Sequence, residues 1–372
     1  MLPLEGELSP KGTEEVGTTH SAKDLSKPIP SSPPQGGVFS EATMTVSERF
    51  TKALAGDLSI DRLPVIEWAG WWNLTLDRWA GEGLTRDMDS EERYHLLGLD
   101  PHRQFWFSTK DASCPRPARH GGGIIEDESD YERILPHLYP IESESKLIDS
   151  IGERDDIITW FTLSGGFWFP RELFGIEGHL YSFYDQPELY DRILNDLADY
   201  QMKLLQKLYT RCTPQFMTFA EDMSYNKGPM LSKKLFDRFL LPYYKKLVPF
   251  IRSHGTRVLV DSDGDITEMI PWLMEAGIEG ALPLEYQAGV DITKIKRLYP
   301  SFLMIGGFNK RIMKDGEEAM EKEFRRILPV MRAGGYIPAV DHQTPPDVSL
   351  ENYRIFVKLL EKYCRTACET EN

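Results

Sequence analysis

The stretch Ala276-Gly277-Ile278-Glu279-Gly280-Ala281-Leu282-Pro283-Leu284-Glu285 decides the fold. A helical pattern over 266–276 stops at Gly277, the residue that most easily takes the left-handed conformation closing a helix. A short apolar run, Ala281-Leu282-Pro283-Leu284, follows and ends at Glu285. Ala333-Gly334-Gly335 before Tyr336-Ile337-Pro338-Ala339-Val340 repeats this order and ends at Asp341 and His342. Leu63-Pro64-Val65-Ile66 ends at Glu67, Phe216-Met217-Thr218-Phe219 at Glu221 and Asp222, and Val258-Leu259-Val260 at Asp261, Asp263 and Asp265. Phe302-Leu303-Met304-Ile305 runs through Gly306-Gly307 to Asn309, and Ile157-Ile158-Thr159-Trp160-Phe161-Thr162 into Ser164-Gly165-Gly166. Continuous apolar strands alternating with helices predict a parallel sheet covered on its outer face. Polar residues at the carboxyl ends of such strands are where a β/α barrel builds its active site. The expected fold class is α/β, a single (β/α)8 TIM barrel. Six such ends on one edge, leaving aside the 157–162 run, favour an enzyme over a non-catalytic ligand-binding barrel.

Helices are expected over 46–54, 89–97, 129–135, 143–151, 187–209, 232–253, 292–298, 316–333 and 349–362, with Pro242 interrupting or kinking one of them. The chain has 372 residues. Residues 1–43 are rich in Pro, Ser, Gly, Thr and Glu and read as a disordered extension. They lack a secretory signal, their acids argue against a transit peptide, and Met44 offers a fresh start. The barrel is expected over 44–364 and a flexible tail over 365–372. The hydrophobic content of 41% suffices for a large core, and the net charge of −15 argues against a nucleic-acid surface. No apolar run has the roughly 20 residues of a membrane helix. Four scattered cysteines without a C-x-x-C pair suit the cytoplasm.

Glu221-Asp222-Met223-Ser224, Lys227-Gly228-Pro229-Met230-Leu231-Ser232 and Phe239-Leu240-Leu241-Pro242 occur in a familiar order. Ser253-His254-Gly255, Asp261-Ser262-Asp263-Gly264-Asp265, Gly277-Ile278-Glu279-Gly280, Gly306-Gly307-Phe308-Asn309 and Pro345-Pro346-Asp347-Val348-Ser349-Leu350-Glu351-Asn352 continue it. Over about residues 60–362 the chain resembles the uroporphyrinogen decarboxylase superfamily. The resemblance implies a (β/α)8 barrel with a deep cleft at the strand ends. It also implies one of two activities: decarboxylation of a tetrapyrrole, or zinc-dependent methyl transfer involving corrinoid proteins or thiols.

The decarboxylase branch places an Arg-x-x-x-Arg pair after the first strand to grip an octacarboxylate. Here that stretch reads Glu67-Trp68-Ala69-Gly70-Trp71-Trp72-Asn73, without arginine, and Met223 stands where the decarboxylases have serine. In the thiol-methylating relatives a His-x-Cys and a later Cys hold zinc. The corresponding residues here are Asp261-Ser262-Asp263 and His342, so no cysteine remains.

A site of Asp261, Asp263, Glu285 and His342 suits Zn²⁺ and also Mn²⁺ or Fe²⁺. Glu67, Glu221, Asp222 and His342 are the candidate catalytic residues. Trp68, Trp71, Trp72 and Trp168 are candidates for an apolar substrate wall, although such stripes also occur in cores. Asp265 reads as a helix cap, and Glu285 has Lys294 or Lys296 as alternative partners. His102, His120 and His179 read as solvated loop residues. The favoured expectation is metal-assisted methyl transfer from a small methylated substrate to a corrinoid carried by a partner protein, with a homodimer as a possible assembly. Decarboxylation in porphyrin biosynthesis is the alternative.

Overall fold

Seven segments pair side by side in sequence order: β1 (His102–Trp106), β2 (Ile158–Ser164), β3 (Phe216–Ala220), β4 (Arg257–Asp261), β5 (Gly280–Leu282), β6 (Leu303–Phe308) and β7 (Tyr336–Val340). The computed structural model describes residues 44–369, so the extension expected over 1–43 lies outside the described residues. Every pairing in this sheet is parallel. Parallel neighbours need long crossovers, and helices supply them. The largest are Pro187–Leu208, Leu241–Ser253, Glu317–Arg332 and, after β7, Leu350–Cys368. All residues of β2, β3, β5, β6 and β7 are buried, as expected for strands covered on both faces.

The sheet curls as a half-barrel with flanking helices. One expected strand needs correction. Residues 63–67 are buried but form no strand pairing. They make single bonds instead. Val65 N–H donates to Asp100 Oδ2 (2.9 Å), and Asp100 N–H donates to Val65 O (2.7 Å). Leu63 N–H donates to Cys364 O (3.1 Å), and Trp68 Nε1 donates to Val340 O (2.8 Å). The segment is thus bonded next to β1 and at the end of β7, the two edges of the sheet. Pro64 removes a ladder donor, which disfavours regular pairing there.

Gly277 follows Ile270–Glu275 with φ +87°, the helix stop that its sequence predicts. In the expected 232–253 helix, Phe236–Leu240 is a π-helical turn, and Pro242 stands at the start of Leu241–Ser253. The widened turn accommodates a residue that has no N–H. Leu350–Cys368 continues past 364, so residues 365–368 belong to the helix. Cys364 is buried, with its Sγ 3.6 Å from Pro64 O. No helix among the described residues is long and apolar enough to cross a membrane.

Two of the three histidines read as solvated are buried. His102 opens β1, stacks on Tyr94 at 4.3 Å and lies 3.0 Å from its hydroxyl. His179 lies on the Ile176–Asp185 helix, against Phe167 and 3.0 Å from the Tyr190 hydroxyl. Burial lowers the His102 pKa from 6.5 to about 4 and that of His179 to about 3. A histidine depressed in the fold contributes stability above its unfolded pKa and loses it as pH falls towards the folded value. Relative to His102→Gln, the wild type should lose about 1.4 kcal/mol per pH unit as pH falls from 6.5 towards about 4. Denaturant unfolding of both proteins across that range checks this. A constant difference would mean that His102 takes up its proton equally in the folded and unfolded chain.

Candidate active site

The polar strand ends converge on one mouth. Asp261 closes β4 and is buried, and the chain then turns through Ser262, Asp263 and Gly264. Asp265 Oδ1 accepts from Thr267 N–H (2.9 Å), a turn bond just before the Thr267–Met269 turn, whose cap position is Ile266 and not Asp265 as expected. Asp222, two residues beyond β3, has φ +43°, and its Oδ1 accepts from Asp263 N–H (3.2 Å). Glu285, beyond β5, accepts from Gly264 N–H (3.0 Å) and Gln287 Nε2 (3.1 Å), not from Lys294 or Lys296. His342, two residues beyond β7, brings Nε2 to 3.7 Å from Asp263 Oδ1.

One donor atom each from Asp263, Glu285 and His342 lies within 4.8 Å of the others. Donor atoms of Asp222, Asp261 and Asp263 form a second such group. Asp263 is common to both. Ligands at ~2.0–2.2 Å from a tetrahedral ion stand about 3.3–3.6 Å apart, so side-chain movements of about an ångström would close either set on a cation. Asp261 therefore groups with Asp222 rather than with Glu285 and His342.

Asp341 braces this mouth. It is fully buried, accepting at Oδ1 from Lys310 N–H and at Oδ2 from Tyr286 N–H, both at 3.1 Å. One carboxylate thereby ties together the ends of β5, β6 and β7. Burial raises its pKa to about 6, and the Lys310 ammonium opposes the rise.

The family model for uroporphyrinogen decarboxylase (URO-D) matches residues 173–363, just over half of the 372-residue chain. The chain belongs to the uroporphyrinogen decarboxylase family. No curated protein matches it significantly in sequence. Among solved structures it is similar to a methyltransferase from Methanosarcina mazei, with a TM-score of 0.59 and 14% identity over 86% of this chain and 99% of that one. It is also similar to a protein assigned as a vitamin-B12 independent methionine synthase from Listeria monocytogenes, at 12% identity over 79% and 95% of the two chains. The TM-score of 0.39 makes that second likeness too slight to argue from. At 14% identity the first speaks for the fold alone.

The other expected site residues divide. Glu67, before the family match, is buried, and its Oε2 accepts from the Tyr353 hydroxyl (3.3 Å). Burial holds its pKa well above the usual range, partly opposed by Lys310. Glu221 is fully buried and turned to the β2 end. It accepts from Gly166 N–H (2.9 Å), Phe167 N–H (2.8 Å), Trp168 N–H (3.2 Å) and the Tyr244 hydroxyl. A Cβ on Gly165 would sit 2.0 Å from its carboxyl carbon, so only glycine lets it approach. Burial raises Glu221 to about 7 against the pull of these four donors.

Trp68 stands edge-on to His342 at 6.5 Å between ring centres and is half-buried, which suits a wall of the mouth. Trp71 instead packs in the core against Trp79, Tyr94 and Tyr353. Trp72 is half-buried before the Asn73–Gly81 helix. Trp168 lies beneath the Arg171 guanidinium, 5.1 Å from its ring.

Sequence reading missed Lys310, one residue beyond Asn309 at the end of β6. It is only 9% exposed, and the carboxylates of Asp341, Glu285 and Asp263 act on it. Burial lowers its pKa, while these acids oppose the fall. The acid cluster therefore has a built-in cation, although its acids still outnumber it.

Proposed function

We propose that this mouth carries out metal-assisted transfer of a methyl group from a small methylated substrate to a corrinoid on a partner protein. The convergence of Asp263, Glu285 and His342 within 4.8 Å at the strand ends carries this reading. One imidazole and two carboxylates fit a borderline divalent ion such as Zn²⁺. Lys310 supplies one positive charge, and the surplus of acid around it still favours a cation.

When bound, the ion polarises the heteroatom that carries the methyl group. The half-buried face of Trp68 would hold the apolar part of the substrate beside His342. The methyl group would pass as a cation equivalent to the cobalt(I) of the partner's corrinoid, which supplies the electron pair of the new bond, while the departing heteroatom keeps the old pair and takes a proton. Glu67, whose pKa burial raises, is the group proposed to supply that proton from its carboxyl. Asp222, hydrogen-bonded to Asp263 N–H, would keep the metal-side loop in place.

Family membership keeps decarboxylation as the second reading, and Lys310 is a feature that favours it. An octacarboxylate, however, would meet Asp263, Glu285 and Asp341 with no arginine in the 67–73 stretch. Anaerobic incubation with uroporphyrinogen III should give no coproporphyrinogen. Efficient conversion would overturn the methyl-transfer reading.

A further inference from the structure

Lys310 is a largely buried lysine, 9% exposed, without a direct counter-ion. Among the described residues no carboxylate oxygen lies within 4.0 Å of its Nζ, and no acceptor lies within hydrogen-bond distance. Three of the acids near it accept hydrogen bonds from other donors. Asp341 accepts from two backbone N–H groups, Glu285 from Gly264 and Gln287, and Glu67 from Tyr353. Holding an ammonium in a largely buried place without a bonded acceptor is costly, and a ligand that completes it is one reason to keep it there.

We propose that Lys310 is the anion-recognition point of the mouth and that the substrate carries a single carboxylate. One lysine offers one compact positive charge, which suits one anionic group. A second or third carboxylate would enter the field of Asp263, Glu285 and Asp341, the acids that act on Lys310, where like charges repel. Trp68, beside His342, offers an apolar face for the rest of such a molecule. The inference rests on the active site lying at this mouth. It does not need the metal.

The test uses the full chain and benzoate, a monocarboxylate with a flat ring, with citrate as the polycarboxylate. Binding is measured by calorimetry with and without EDTA, for the wild type, Lys310→Arg, Lys310→Met and Lys310→Gln. Benzoate should bind the wild type and Lys310→Arg, unaffected by EDTA. It should bind the two neutral variants about thirtyfold or more weakly, as truncating one partner of a buried charge pair does. Citrate should bind the wild type more weakly than benzoate. The proposal is overturned if benzoate does not bind the wild type, or binds a folded neutral variant equally well. It is also overturned if EDTA abolishes benzoate binding, because the anion would then sit on a metal. A protein that proves metal-free but still binds benzoate through Lys310 refutes the metal reading alone.

Discussion

Glu221→Ala should destabilise the protein by about 3–5 kcal/mol, seen as a large drop in thermal midpoint. The carboxylate is fully buried and receives three backbone N–H groups and the Tyr244 hydroxyl. Each buried donor left without an acceptor costs ~1–3 kcal/mol, and the losses add incompletely. Alanine also leaves a hole against Gly165, whose missing Cβ makes room for the acid. Glu221→Gln should recover part of the loss, because its amide keeps one acceptor oxygen but turns a second donor towards backbone N–H groups. A thermal midpoint unchanged by Glu221→Ala would show that the carboxylate does not fasten β3 to the β2 end.

His342→Ala should weaken divalent-metal binding about a hundredfold or more, beyond what loss of an outer-shell partner costs. His342 supplies the one imidazole in the Asp263, Glu285 and His342 group. Its ring also stands edge-on to Trp68, so a modest loss of packing accompanies the change. Asp263→Asn separates the two effects, since it keeps the shape and removes the charge that both acid groups share. Competition against a chromogenic chelator reads the affinity. Both variants should keep the wild-type circular dichroism and lose metal and activity together. If both bind metal like the wild type, the donors do not act on one ion.

The strands legible in the sequence were those with both faces covered. β3 and β7 are apolar at almost every position, and β4 through Val258-Leu259-Val260, because helices pack outside and the barrel core inside. β1 escaped for the opposite reason. It alternates, exposes Trp106 (48%) and begins with a histidine, so its pattern resembles a surface loop. Residues 63–66 were misread because an apolar run is buried whether or not it joins a ladder.

The site was legible where one structural rule places residues together. Asp263, Glu285 and His342 each lie two or three residues past a strand end, and the sheet brings those ends to one edge. The rule does not say which way a side chain turns. Glu221 and Asp222 are neighbours, yet Glu221 enters the core beneath Gly165 while Asp222 bonds to Asp263 N–H. Among the tryptophans, Trp71 joined the core and Trp68 reached the mouth, a division that spacing alone cannot make. Lys310 was unread because lysines normally reach solvent, and nothing local marks the rare one that turns inward.

The central claim is that the strand-end acids and His342 hold a divalent ion. The most direct measurement is elemental analysis of the protein purified without chelator, followed by calorimetric titration of Zn²⁺ into the chelator-stripped chain. The account predicts close to one divalent ion per chain and a single titration step that disappears in Asp263→Asn. Metal-free protein that takes up no Zn²⁺, or uptake unchanged in Asp263→Asn, would contradict it.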